Sequence, residues 1–207
     1  MPRLPLIHIP NGIYSVVSKC NNNEFLFDAD EKFELYLEHL LECKKKLGFT
    51  LFDICCMSNH VHELYRVPDN GVTIANILQM VKGGFTQKFN PRFGRSGHFW
   101  KNKPFWRIVE NERYAFHCIN YFHWNPVAAG LVDHPEKWPY SGYRFHMLGI
   151  REGLIGKLLT PLSKVDPATE LQVGNESIEN ETRAALCNLR TRVIGCQHFV
   201  DYVRCLR

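Results

Sequence analysis

Two histidines one residue apart, His60-Val61-His62, stand upstream of a Tyr121 and Asn125 pair. The residues around the histidines, Leu51, Ile54, Val61, Leu64, Tyr65 and Val67, read as strand. Side chains alternate faces along a strand. His60 and His62 can therefore aim two imidazoles at one point, as a divalent metal requires. On a helix, Tyr121 and Asn125 share a face at i,i+4 spacing. Two imidazoles, an amide oxygen and a phenol can together bind a metal and attack a phosphate, which suggests cutting and joining of a nucleic-acid strand. Each residue alone also has a plainer reading. The histidines can be solvent-facing or hydrogen-bonded, and Tyr121 can be a core tyrosine on one stripe with Tyr114. Asn125 before Pro126 is by itself a helix stop. His123, two residues from Tyr121, turns toward another helix face and reads as structural.

Composition bounds the setting for this chemistry. Of 207 residues 45% are apolar, which supports a packed core and argues against general disorder. The net charge of +4, from 25 Lys and Arg against 21 Asp and Glu, permits a nucleic-acid partner without demanding one. No stretch approaches the roughly 20 apolar residues of a membrane span. Met1 to Pro10 is interrupted by three prolines and lacks a signal-peptide apolar region, so a cytoplasmic protein is expected. The eight cysteines are scattered with no Cys-x-x-Cys pair and read as reduced thiols, many of them small core residues. A zinc site from Cys55 or Cys56 with His60 and His62 lacks a second cysteine knuckle.

The elements that must position these groups follow from patterning. Gly12 to Lys19 is a β-branched strand candidate. Asp28 or Asp30 can cap a helix running to Leu47, with Gly48 to end it. Phe49 to Met57 and His60 to Val67 read as strands joined at Ser58-Asn59 in a hairpin. Thr73 to Phe89 is a second amphipathic helix, in which Gly83-Gly84 marks a kink or a close backbone approach. Phe105 to Val109 is a fourth strand. Asn111 can cap a third helix carrying Tyr114, Cys118, Tyr121 and Phe122, which Pro126 should end near Asn125.

The order β-α-β-β-α-β-α predicts an α+β, ferredoxin-like antiparallel sheet with helices on one face, and the tyrosine helix after the last strand. His60 and His62 should then lie side by side on the open face. A domain over 1–150, a polar linker over 151–175 and a small helical tail over 176–207 are expected. Between the second helix and the fourth strand, Lys82, Lys88, Arg92, Arg95, Lys101 and Lys103 interleave with Phe89, Phe93, Phe99 and Trp100. With Lys19 they form a candidate DNA groove, in which cations meet phosphates and rings meet unstacked bases. An ordinary solvated face is the alternative.

Met57-Ser58-Asn59-His60-Val61-His62 resembles the metal motif of the HUH single-tyrosine transposases. Tyr121-Phe122-His123-Trp124-Asn125-Pro126-Val127, followed by Ala129-Gly130, is similar to the tyrosine helix of the REP-associated branch. Trp138-Pro139-Tyr140-Ser141-Gly142-Tyr143 and Ser96-Gly97-His98-Phe99-Trp100-Lys101 resemble two further segments of that family. The resemblance covers residues 8–150. It implies a metal-dependent endonuclease and strand transferase acting on single-stranded or stem-loop DNA, with Tyr121 as nucleophile keeping the 5′ end. His60 and His62 are then ligands of Mg²⁺ or Mn²⁺, and Asn125 stands where the third ligand lies. With one nucleophile, exchange runs by reversal in a monomer or through a second subunit in a homodimer. Two positions depart from the family. Glu63 replaces an apolar residue, which touches strand packing, and Ala128 replaces a basic one, which touches a DNA contact.

Two other function classes remain open at this level. One is a non-catalytic single-strand or hairpin nucleic-acid-binding module on the same sheet. The other is a zinc-stabilised structural protein using His60, His62 and a cysteine.

Overall fold

The strand formers Ile13, Tyr14, Val16 and Val17 make the first strand, β1 (Ile13–Lys19), in the computed structural model, which describes residues 8–162 and 193–194. The helix α1 (Asp30–Leu47) follows, and Gly48 ends it in the left-handed region at φ 73° with its N–H on Lys44 O. Its N-cap is Ala29, not Asp28 or Asp30. Both expected caps are engaged elsewhere: Asp28 accepts from Lys32 Nζ at 2.6 Å, and Asp30 accepts from the Tyr140 hydroxyl. The strands β2 (Thr50–Met57) and β3 (His60–Arg66) form the expected hairpin around Ser58-Asn59. The next helix is in three pieces: α2 (Ile74–Leu78), a π-helical turn over Gln79–Gly83, and α3 (Gly84–Arg92). Then come β4 (Phe105–Val109), α4 (Glu112–Ala128), α5 (Tyr143–Met147) and α6 (Gly153–Leu158).

The first four strands are ordered β2-β3-β1-β4, each antiparallel to its neighbours and ferredoxin-like. Period 2 divides its side chains between two cores. Tyr14, Val16, Ile54, Val61 and Tyr65 pack against α1 and the α2–α3 segment through Tyr36, Leu40, Ile77 and Phe85. Ile13, Phe52, Cys55, Leu64 and Val109 pack against α4 through Tyr114, Cys118, Ile119 and Phe122. The face carrying His60 and His62 is therefore not open, because α4 lies across it.

Three further expectations are revised or extended. Pro126 does not end the third helix near Asn125; α4 runs through it to Ala128. Proline removes only one N–H. The final turn is closed by Ala129 N–H to Asn125 O, Gly130 N–H to Val127 O and Leu131 N–H to Pro126 O, each 2.9 Å. The segment after 150 stays on the domain at first: α6 lies on α1, and Leu158 and Leu159 are buried. Of the tail expected to be helical over 176–207, only Val193–Ile194 is described, as a short strand β5 parallel to β4. The rest of that tail lies outside the described residues. Among the described residues, Cys20, Cys43, Cys55, Cys56 and Cys118 are buried free thiols, and no helix is long and apolar enough to cross a membrane.

The π turn exists around a buried charge. Lys82, assigned above to a DNA groove, is 5% exposed and pairs with the fully buried Glu63 at 2.6 Å. An ammonium held there by a carboxylate presents nothing to a ligand. Glu63 also accepts from the Tyr36 and Tyr65 hydroxyls, the latter at 2.7 Å. Burial and this carboxylate hold both phenols well above their ordinary pKa. Burial pulls the Lys82 ammonium down, and Glu63 opposes that pull. His39 Nε2 lies 3.2 and 3.1 Å from the Met80 and Val81 carbonyls of the turn, which also accept from the Gly84 N–H. Gly84 is the close approach, since a Cβ there would stand 2.8 Å from the His39 ring.

Lys82→Met keeps the stem and leaves Glu63 buried without a counter-charge. It should cost about 3–5 kcal/mol of unfolding free energy, read from the urea midpoint. Adding Glu63→Gln keeps the tyrosine hydrogen bonds and removes the charge, so the double variant should regain most of the loss. A double variant no more stable than Lys82→Met would remove the charge pair as the cause.

Candidate active site

The pairing of β3 with β1 sets His60 against Lys19 and His62 against Val17, and both imidazoles rise from β3 on the α4 side. Their ring centroids are 4.9 Å apart. On α4, Phe122 packs against His62 at 4.9 Å, and the Tyr121 ring stands 6.0 Å from His62. An ion pair of 2.7 Å between Arg66 and Glu112 ties the start of α4 to the far end of β3. One turn beyond Tyr121, the Asn125 Nδ2 donates to Tyr121 O at 2.6 Å, leaving Oδ1 as the end of the amide able to ligate.

These four side chains line one cavity of about 610 Å³. Tyr114 does not reach it, being buried in the core beneath α4. Lys19, Lys101 and Lys103 also line the cavity. They are placed by backbone pairing, with Lys101 N–H on Lys19 O at 2.8 Å and Asn21 N–H on Phe99 O at 2.8 Å. Lys88, Arg92 and Arg95 are not brought there. They sit on or just after α3, beside Glu42, Glu31 and Glu24 respectively. Phe99 is buried, and Trp100 is spent on the core, its Nε1 donating to Lys82 O at 3.0 Å.

Sequence reading missed Arg107. It lines the cavity from β4 while only 1% exposed, its guanidinium 4.3 Å from the Phe105 ring centroid. The available signal was a charge in the middle of an otherwise apolar strand. It missed Asp53 too, which sits with His123 and His146 away from the cavity lining.

The chemistry of the donors fits a divalent ion. Burial, then Lys19, pulls His60 down to about 4. Burial, then His60, Arg107 and Lys19, holds His62 well below its ordinary value. Both rings are thus neutral near pH 7, the form that ligates. His60 Nδ1 lies 2.7 Å from Asn59 Oδ1, an acceptor, so Nδ1 carries the proton and Nε2 of the neutral ring keeps its lone pair. His62 Nδ1 is buried with no hydrogen-bond partner among the described residues. The remaining charged walls are cationic, with Asn23 and Asn102 beside them, and among the described residues no carboxylate lines the cavity, so the arrangement suits a metal ion together with an anionic group.

A family model described as "Transposase IS200 like" matches residues 9–122, a span that includes His60, His62 and Tyr121 and stops short of Asn125. A protein of Haemophilus influenzae named for the REP-associated tyrosine transposases is 22% identical over 143 residues, covering 64% of this chain and 80% of that one. A solved structure of a REP-associated tyrosine transposase bound to a REP hairpin is similar in fold, with a TM-score of 0.62 at 16% identity. That likeness covers 80% of this chain and 94% of the other.

The depressed histidines fix the sign of a pH effect in metal-free protein. Their folded-state values lie below the unfolded value of about 6.5, so the unfolded chain binds more protons in between. Their contribution to stability is complete above that value and is lost as pH falls through it toward about 4. In chelator-treated protein, an NMR titration should place the His60 midpoint near 4 and the His62 midpoint well below the ordinary imidazole value. A His60 midpoint at the ordinary value would contradict this account of its burial.

Proposed function

Because the chain belongs to the IS200-like transposase family, we propose that it is a metal-dependent endonuclease and strand transferase acting on hairpin DNA through a 5′-phosphotyrosine intermediate. The carrying observation is that Tyr121, His60, His62 and Asn125 line one cavity whose other charged walls are Lys19, Lys101, Lys103 and Arg107. The hairpin-bound relative supports hairpin DNA as the substrate class.

The chain's own groups divide the work. Phenols are mostly protonated at neutral pH, so attack needs the proton removed, and surrounding cations favour the phenolate. The Tyr121 oxygen forms a bond to the scissile phosphorus as the bond to the 3′ oxygen breaks. That oxygen leaves as a 3′ hydroxyl, and the 5′ phosphate stays on Tyr121. The phosphodiester count is unchanged, so attack by a 3′ hydroxyl rejoins the strand without ATP. The lysines and Arg107 hold the phosphate and offset the charge that builds on it. His60, His62 and Asn125 would hold Mg²⁺ or Mn²⁺, which when bound supplies Lewis-acid polarisation of the phosphate. With one nucleophile per chain, exchange proceeds by reversal or through a second subunit.

Incubation with stem-loop oligonucleotides and Mg²⁺ or Mn²⁺ should give a covalent adduct on denaturing gels, located to Tyr121 by mass spectrometry. Tyr121→Phe keeps the ring and should form none, while Tyr114→Phe should remain active. Adduct on Tyr114, or cleavage by Tyr121→Phe, would overturn the assignment. Tight binding without adduct in either metal would favour the non-catalytic binding module.

Salt dependence tests the groove. Changing Lys19, Lys101 and Lys103 together to alanine should flatten the slope of log affinity against log salt by about 2, at roughly 0.7 per single-strand phosphate contact. Changing Lys88, Arg92 and Arg95 should flatten it less. The reverse ranking would move the groove onto α3.

A further inference from the structure

Asp53 is the one carboxylate that β2 sends to the α4 side, and it gets there by a β-bulge. The register slips between Leu51 and Asp53, so Phe52 is the extra residue and Asp53 joins it on that face. Its side chain is fully buried. Burial of a lone carboxylate is costly unless it is paired or coordinates a metal. Two imidazoles meet it, His123 from α4 and His146 from α5, with side chains 2% and 7% exposed.

The spacing of this group is that of ligands around an ion. His123 Nε2 lies 3.3 Å from Asp53 Oδ2 and 3.4 Å from Oδ1, and His146 Nε2 lies 3.6 Å from Oδ1. One ligand atom from each residue falls within 4.8 Å of the others. Charge-assisted hydrogen bonds are shorter, about 2.7–2.9 Å. Donors held at about 2.0–2.1 Å from a tetrahedral zinc stand about 3.4 Å from one another. Asp53 Oδ2 accepts no hydrogen bond among the described residues despite its complete burial. The backbone makes room: a Cβ on Gly142 would stand 1.8 Å from Asp53 Oδ1.

We propose that Asp53, His123 and His146 form a second metal site, structural and selective for Zn²⁺ or a similar borderline divalent ion, separate from the His60–His62 centre. Two imidazoles and one carboxylate suit zinc better than the all-oxygen cations. The Phe52 carbonyl, 2.9 Å from His146 Nε2, stands beside the ligands. On binding, the ion replaces the Nε2 proton that His146 donates to that carbonyl, and the proton moves to Nδ1 or to solvent. The site is closed to substrate by burial. It clamps three elements, β2, α4 and α5. His123 lies between Tyr121 and Asn125 in sequence, so the clamp fixes the rotation of the helix that presents both.

The test uses the full chain carrying His60→Ala and His62→Ala, stripped with chelator and titrated with Co²⁺ and then Zn²⁺. One equivalent of Co²⁺ should bind with a tetrahedral visible spectrum, Zn²⁺ should displace it, and the thermal midpoint should rise. Adding His146→Ala, on a five-residue helix, should weaken binding by at least the roughly 10–100-fold that loss of a supporting partner costs. Asp53→Asn is the second ligand variant, with circular dichroism to check folding. Wild type should bind one equivalent more than wild type carrying His146→Ala alone, which keeps the test independent of the double-histidine background. No binding in the double variant, or an equivalent that survives His146→Ala on other thiols and imidazoles, would overturn the proposal.

Discussion

A carboxylate between a sheet and two helices is the constraint around which the rest of this domain is arranged. Glu63 is fully buried, and its charge is tolerable because Lys82 meets its Oε2 at 2.6 Å and two tyrosine hydroxyls donate to its Oε1. Lys82 stands in the π turn of its helix, where His39 lies against the Met80 and Val81 carbonyls and Trp100 donates to the Lys82 carbonyl. Trp100 in turn anchors the loop that carries Lys101 and Lys103. A charge on the closed face of the sheet thereby sets where cations stand on the other. The same pair holds β3 in register. Its neighbours in sequence, His62 and Leu64, are committed to the opposite face by the pleat.

That opposite face is a cavity built by a helix that only partly covers it. Phe122 and Ile119 seal its inner part, while Tyr121 and Asn125 stand at the rim with the two histidines. Burial, with Lys19 beside both rings and Arg107 beside His62, holds both imidazoles below their ordinary pKa and so favours their neutral form. The cationic walls then offer their charge to an incoming anion. Basic residues on α3 differ because each already has a glutamate beside it.

The segment after α4 closes the remaining edge. Trp138 donates to Cys56 O, Cys56 to Tyr140 O and Gly142 to Ile54 O, each at 2.9 Å, so residues 138–142 run along β2 and cover an edge strand that would otherwise expose its backbone. This pairing delivers α5, and with it His146, to the bulge where Asp53 waits. One side of α4 faces the cavity, and His123 faces this second cluster. A single helix therefore couples the sheet edge to the rim residues.

The sequence by itself determined what depends on neighbours in the chain. The His60-Val61-His62 alternation, the one-turn spacing of Tyr121 and Asn125, the Gly48 stop and the β-α-β-β-α-β-α order all follow from strand and helix periods. Resemblance to the family's motifs favoured Tyr121 over Tyr114 as the expected nucleophile. Tertiary structure decided everything that required distant segments to meet. Lys82 looked like one more groove cation because nothing local distinguishes it from Lys88, and only the arrival of Glu63 from another strand makes it a core residue. Pro126 looked like a stop because the bonds that close α4 beyond it lie in the following turn and its buried ring packs on other elements. Arg107 and Asp53 carried a faint signal, charges within apolar strands, but the cavity that Arg107 lines and the imidazoles that meet Asp53 are assembled from other elements. Short-range geometry fixes which side chains share a face. Which face is buried, and which charges meet there, is set by contacts between residues far apart in the chain.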